Sequence, residues 1–547
     1  MSLKKLVWPV VFIFIAMVAG FLAGSFISGK SLTRKLFLNT GNKVDVLLDI
    51  INEEYVDTID MKSLVENALT KIVNELDPHS NYISAKSLET INENMDGHFA
   101  GVGINYIFHL DTIVINSIMP GGPAEQAGLL AGDRIVAIND SIVTGNSLSE
   151  DRIIDILHGK VGTSLRLSIA RDGIDSLRKY KITRAYVPLN SIKAAYEITD
   201  GIGIIKIYDT FTNSTYNEFI GAMAKLLNKG CQSFIIDLRM NKGGAVDAAI
   251  HICNEFLPKG RMIVYMEGRS FPKEYVTANG LGTLQDKQVV ILMDQTSASA
   301  SEIVAGAIQD NDRGLIIGRR SFGKGLVQNQ IELSDGSAVR LTIARYYTPS
   351  GRNIQRKYEM GKTDEYNQEW FDRLSAGEGL YKDDTIPNTS ASYYTLRGRE
   401  VYGGGGIMPD IFVPLDTTEL TSYYLHMESK GIFYQFAFEY SDENRSKLKT
   451  FTNPEDMLVY LKKQIPLSEL VRFAETKGIK RRTALIAISA NQIMNMTYAH
   501  ILQNFFGEEA YFSLLLDNDP LVKRAIEEIQ KGNDDPLAVA SMKYKDN

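Results

Sequence analysis

Val289-Val290-Ile291-Leu292-Met293-Asp294-Gln295-Thr296-Ser297-Ala298-Ser299-Ala300-Ser301-Glu302 decides the reading of this chain. Its first five residues are an apolar run of buried-strand type, rich in β-branched side chains. The small residues 297–301 make a tight loop, and a helix follows from about Ser301 to Gln309. Strand, tight loop, helix sets a serine at a helix N-terminus, where backbone N–H groups point at developing negative charge. Ser299 with Glu302 three residues later is also a capping box, which by itself accounts for a serine at this place.

Outward from this segment the same alternation continues over 186–415. Gly203 to Ile207 is a strand candidate, and Thr215 with Glu218 makes a capping box for a helix ending near Gly230. Ser233 to Leu238 is a buried strand, followed by Gly243-Gly244 and a helical stretch from Ala245. Leu315 to Ile317 is a further strand, leading to Phe322-Gly323-Lys324-Gly325. Strands alternating with helices predict an α/β layer. Residues 43–98 carry helical spacing, with Val44, Leu47, Leu48 and Ile51, then Leu64, Ala68 and Ile72. From Gly101 the texture turns to short β-type runs: Gly103 to Phe108, Thr112 to Ile118, Arg134 to Ile138 and Ser164 to Ala170. From about 416 onward helical spacing returns, so the end of the chain reads as a helical appendage made for packing.

The chain has 547 residues, too many for one ordinary core, so three or four structural units are expected. Hydrophobic residues at 44% and charged residues at 23% exclude a largely disordered protein. A net charge of −7 without a basic stripe argues against nucleic acid as a partner. Two cysteines, Cys231 and Cys253, exclude a disulfide framework, and seven scattered histidines make no zinc-protease pair. The chemistry is expected to run without a metal or cofactor.

Leu6 to Ser28 runs 23 residues without a charge. As a helix it reaches roughly 34 Å, enough to cross a bilayer. Lys4 and Lys5 precede it as in a signal sequence, but the run exceeds the usual apolar region of roughly 7–15 residues. An uncleaved anchor within 1–35 is therefore expected, with cleavage near Ala19, Ala23, Gly24 or Ser25 as the alternative. Lys30, Arg34 and Lys35 offset Lys4 and Lys5, so charge does not set the topology.

Two resemblances gather these segments. Pro120-Gly121-Gly122-Pro123-Ala124, Ala127-Gly128-Leu129 and Gly132-Asp133-Arg134-Ile135, among the short strands, resemble a PDZ domain over 99–185. In such a domain Gly101-Val102-Gly103-Ile104 would leave N–H groups free for a chain-terminal carboxylate, while an extended peptide adds to an open sheet edge. Ser297 through Ala305, Ser321-Phe322-Gly323-Lys324-Gly325 and Gln328 resemble the carboxyl-terminal processing proteases, the tail-specific serine peptidases. Asp77-Pro78-His79, Asp237-Leu238-Arg239-Met240-Asn241, Tyr346 through Arg352 and Gly405-Gly406-Ile407-Met408-Pro409-Asp410 match as well. Lys242 departs from the family, which more often has proline there. Gly507-Glu508-Glu509-Ala510-Tyr511 resembles the tails of Bacteroidetes-type members.

The resemblance implies Ser299 as nucleophile and Lys324, 25 residues on, as its base, with Gln328 supporting the amine. Lysine serves only if burial or neighbours lower its pKa, and a neutral glutamine supports it without the charge that would raise it. The oxyanion donors expected are the N–H of Ala300 and that of Gly243 or Gly244. His79 is expected to be structural. The fold implied is an α/β multidomain: anchor 1–35, helical segment 36–98, PDZ-like domain 99–185, serine-peptidase core 186–415 and helical extension 416–547. The implied function is endoproteolysis near protein C-termini in the cell envelope, from an inner-membrane anchor with the catalytic part in the periplasm. The PDZ-like domain would bind substrate termini or gate the site. Protein substrates are the implied partners, with an adaptor and self-association as further options. A trypsin-like protease is excluded by domain order and by the absence of a Gly-x-Ser-Gly-Gly context. The rival from another class is an inactive scaffold that binds peptide termini, against which Ser299, Lys324 and Gln328 together argue.

Overall fold

In a computed structural model, the run that opens the deciding segment is a central strand of a six-stranded sheet. The structure describes residues 12–18, 20, 43–109, 111–145, 149–381, 391–532 and 536. Two compact units divide the chain after Ile72. In the first, Lys43–Glu54 is a helix and Met61–Asn74 begins another. The expected anchor, Leu6 to Ser28, lies outside the described residues except for 12–18 and 20, which are helical. Among the described residues no helix is long and apolar enough to cross a membrane.

The second unit holds two six-stranded sheets and one five-stranded sheet. The first is built from β1 (Ile104–His109), β2 (Thr112–Ile118), β3 (Arg134–Ile138), β4 (Ser164–Ala170) and β5 (Arg178–Thr183), all antiparallel in that order, with the two-residue strand Ser141–Ile142 beside β3. Helix α1 (Glu150–Leu157) closes its core, where Ile113, Ile115, Ile135, Ile153, Leu167 and Ile169 are buried. β1 is an edge strand. The pair His98–Gly101 and Ala185–Pro188 brings the two ends of this domain together.

The second sheet runs in the order β6 (Ile192–Thr199), β7 (Ile202–Ile207), β8 (Ser233–Asp237), β9 (Gln288–Met293), β10 (Leu315–Gly318) and β13 (Ile411–Phe412), counting β11 (Leu326–Glu332) and β12 (Ala338–Tyr347) in a neighbouring sheet. All its pairs are parallel except β6–β7. Alternate residues of each strand face opposite sides, and both sides are apolar, as parallel strands require. Ile205, Phe234, Ile236, Val289, Ile291 and Ile316 face helices α2 (Thr215–Asn228), α3 (Val246–Phe256) and α4 (Ala300–Asp310). Ile204, Ile235, Val290, Leu292 and Ile317 face the other way.

Three expectations change here. The predicted Thr215–Glu218 box does not form: Ser214 is the N-cap, and Glu218 accepts instead from the N–H groups of Ser191 and Ile192 at 2.9 and 3.0 Å. The stretch 43–98 also contains a strand, Asn81–Ile83, paired antiparallel with β12. Beyond 416, helices including α6 (Thr483–Phe506) bury their own core around Met427, Phe433, Leu461, Ile493 and Ile501. The end of the chain is not an appendage throughout. Helix α8 (Pro520–Gln530), after α7 (Glu508–Leu516), lays Leu521, Val522, Ala525 and Ile529 on the second face of the six-stranded sheet. That face would otherwise expose an apolar surface to water.

Candidate active site

The turn between β9 and α4 is stretched around Ser299, whose φ is 53° and ψ −113°. A non-glycine residue in that region stores strain, which the surrounding bonds must hold. Those bonds come from one buried carboxylate. Glu302 Oε2 accepts the N–H of Ser299 at 2.8 Å and that of Lys324 at 2.9 Å. Its Oε1 accepts the Gly323 N–H at 2.8 Å and the Ser321 hydroxyl at 2.5 Å. The capping box read from the sequence is therefore present, yet its glutamate does more than cap: it ties the serine turn to the Phe322-Gly323-Lys324-Gly325 loop. Burial raises the Glu302 pKa, and all four donors oppose that rise. The N–H of Glu302 itself reaches the Ser299 carbonyl at 2.8 Å, so the backbone shares in capping the helix.

Lys324 is half-buried, and its Nζ donates to Gln328 Oε1 at 2.9 Å. Desolvation lowers its pKa, helped by Arg340 and opposed by Asp77 and Glu302. Gln328 is oriented in turn because its amide nitrogen donates to the backbone carbonyl of His79. The imidazole of His79 lies 3.0 Å from the Tyr366 hydroxyl, and burial together with the nearby Lys324 lowers its pKa to about 4. A ring so rarely protonated makes a poor proton carrier at neutral pH, and it is the carbonyl of this residue that serves the site.

The expected oxyanion donors differ among themselves. The Ala300 N–H meets no acceptor among the described residues. That of Gly243 is committed to Asn241 Oδ1 at 2.9 Å. Gly244 pairs with Phe211 in a short parallel ladder. Gly243 nonetheless must be glycine: at φ 96° a Cβ would lie 2.6 Å from Ser299 Cβ and 2.9 Å from the Ala300 nitrogen. Lys242, in the place of the family's proline, is exposed and pairs with Asp209 at 3.2 Å.

Three residues given no catalytic part in the sequence converge here. The Tyr346 hydroxyl lies 3.1 Å from the Ser299 carbonyl and 2.7 Å from that of Lys324. Tyr366 and Trp370 stand on α5 (Thr363–Ser375), within the 360–400 stretch; Trp370 packs on Phe322. The only signal for Tyr346 was its place in a matched motif. For the α5 pair there was none.

In the first sheet, Gly101 ends a strand opposite Ala185, and Val102 is buried with its carbonyl accepting the Ala124 N–H at 2.8 Å. The Gly103 carbonyl accepts from Met119 at 3.0 Å. The N–H groups of Val102 and Gly103 meet no acceptor among the described residues. Ile104 opens β1, whose outer side has no partner strand among the described residues. Loop and edge together have the geometry for holding a peptide terminus.

Three family models match the chain: peptidase family S41 over 201–366, a PDZ domain over 114–171, and a family of unknown function over 423–507. The chain is 36% identical over 349 residues to the carboxy-terminal-processing protease of Bartonella bacilliformis, covering 61% of this chain and 79% of that one. With a probable CtpA-like serine protease of Staphylococcus epidermidis it shares 33% identity over 317 residues, covering 58% of this chain and 63% of that one. Among solved structures, the photosystem II D1 C-terminal processing protease aligns at 28% identity over 58% of this chain and 85% of its own, with a TM-score of 0.33.

Proposed function

Because the chain belongs to peptidase family S41, with the carboxy-terminal-processing proteases, we propose that Ser299 is its nucleophile, Lys324 the general base and Gln328 the residue that orients the amine. The protein is a serine-type peptidase that cuts proteins near their carboxyl termini. The observation that carries the dyad reading is a desolvated lysine amine donating to Gln328 at 2.9 Å, on a loop that one carboxylate ties to the serine turn. A neutral Lys324 takes the Ser299 proton as Oγ attacks the scissile carbonyl carbon. The oxyanion faces the Ala300 N–H at the start of α4, and the resulting ammonium gives its proton to the leaving amine. Water then repeats the sequence on the acyl-enzyme.

The Gly101–Ile104 loop and the free edge of β1 take the substrate's carboxyl terminus in this reading. The run Leu6 to Ser28 holds the peptidase to the inner membrane, with its catalytic part in the periplasm. Retention of the full chain by membranes after alkaline carbonate washing, and its release when the chain starts at 36, checks the anchor. A fluorophosphonate probe decides between enzyme and inactive scaffold. Labelling of the full chain that disappears in Ser299→Ala supports the peptidase; no labelling of the unsubstituted chain leaves the scaffold.

A further inference from the structure

Helix α8 reaches the active-site loop through one carboxylate at its start. Asp519 caps α8: its Oδ1 accepts the N–H groups of Leu521 and Val522 at 2.8 and 3.2 Å. Its Oδ2 accepts Nη1 of Arg239 at 2.7 Å, across 280 residues of sequence. Asp237 grips the same guanidinium from the other side, accepting Nε at 3.0 Å and Nη2 at 2.7 Å. Lys206 completes the cluster by donating to Asp237 at 3.0 Å and to the Arg239 carbonyl at 2.6 Å. Asp237 thus faces two cations, and Asp519 brings Arg239 a second carboxylate. In a buried cluster such a charge is costly to leave uncompensated.

Beyond Arg239 the chain runs directly under the nucleophile. Met240 takes φ 59°, a strained turn. The Asn241 carbonyl then accepts the Ala298 N–H at 3.0 Å, and Asn241 Oδ1 accepts from Gly243 and from the Ser301 hydroxyl, both at 2.9 Å. The turn on which Ser299 stands therefore hangs on segment 237–244, and Asp519 fastens that segment from outside. We propose that Asp519 is a positioning residue of the peptidase. By holding Arg239 it sets the 237–244 loop beneath Ser299, and so makes turnover depend on the docking of α8. The proposal rests on the serine-peptidase reading above.

Asparagine caps a helix as well as aspartate does. Asp519→Asn therefore keeps the cap of α8 and removes the charge offered to Arg239. Fluorophosphonate labelling and kcat for a small ester should fall on the order of 10- to 100-fold, as a small misplacement of reacting groups does, with KM little changed and Tm lowered by the loss of a partner for buried Arg239. Asp519→Glu, which keeps a carboxylate for Arg239, should recover most of that loss. Amide exchange over 238–244 should quicken in Asp519→Asn while the β8 and β9 core stays protected. Wild-type rates in Asp519→Asn, with or without a lower Tm, would overturn the proposal. Should the unsubstituted chain take no label, the peptidase reading fails by itself, and exchange over 238–244 still decides: faster exchange supports the fastening, unchanged exchange overturns it.

Discussion

Lys324 can act as a base only while its amine is neutral. Burial lowers its pKa, with Arg340 adding to the effect, so the competent fraction rises with pH through a lysine pKa below the ordinary value. The rate of ester hydrolysis should follow that rise. Lys324→Arg keeps a positive charge that is effectively never lost, so it should be as inactive as Lys324→Ala, with a fall on the order of 10³-fold. His79 contributes its carbonyl to Gln328 while its ring, with a pKa near 4, stays neutral. His79→Asn keeps that carbonyl and should cost less than a tenth of the Lys324 effect. Measuring kcat of Lys324→Arg and His79→Asn side by side against pH checks both. Turnover in the arginine variant alongside collapse in the asparagine one would remove Lys324 from its role.

Two loops, one after β9 and one after β10, make the site, and Glu302 is what they share. Four donors converge on its two oxygens. In Glu302→Gln one of those oxygens becomes an NH₂ group that faces two donors. Buried donors left unpaired cost roughly 1–3 kcal/mol each, so a loss of about 3 kcal/mol in stability is expected. The strained Ser299 turn should relax with it. Urea unfolding together with the fluorophosphonate labelling rate checks this outcome; a stable variant that labels normally would reduce Glu302 to a helix cap.

Across the whole molecule, the PDZ-like sheet is set into the chain where its ends meet. Gly101 and Ala185 are paired Cα partners in antiparallel strands, so excising 102–184 and joining them with a short glycine linker spans only about 5 Å. The sheet is also held from the far side. Arg134 pairs with Asp442 at 2.7 Å and Asn116 with Asn504 at 3.2 Å, both partners lying in the helical extension. If the module delivers termini, excision should lower cleavage of a tailed protein substrate on the order of tenfold or more, while hydrolysis of a small ester changes little, since remote binding energy is what is lost. Equal losses on both substrates would assign the module to gating instead.

Local order along the chain was enough to determine the strand–loop–helix at Ser299, the apolar strands of the α/β layer and the short strands of the PDZ-like sheet. Each depends on residues a few positions apart, whose periodicity and size decide burial. Lys324 and Gln328, which stand within one motif, meet at four residues' separation. Tertiary structure alone decided that Glu302 joins the Ser299 turn to the Lys324 loop, that Tyr346 spans both carbonyls, and that Asp519 reaches Arg239. The Thr215–Glu218 box failed for a related reason, because Glu218 found two backbone donors at the start of β6. A buried polar group must find a partner, but nothing in its neighbours along the chain says which distant residue that partner is. Only the packing of sheet against helix brings them within hydrogen-bonding reach.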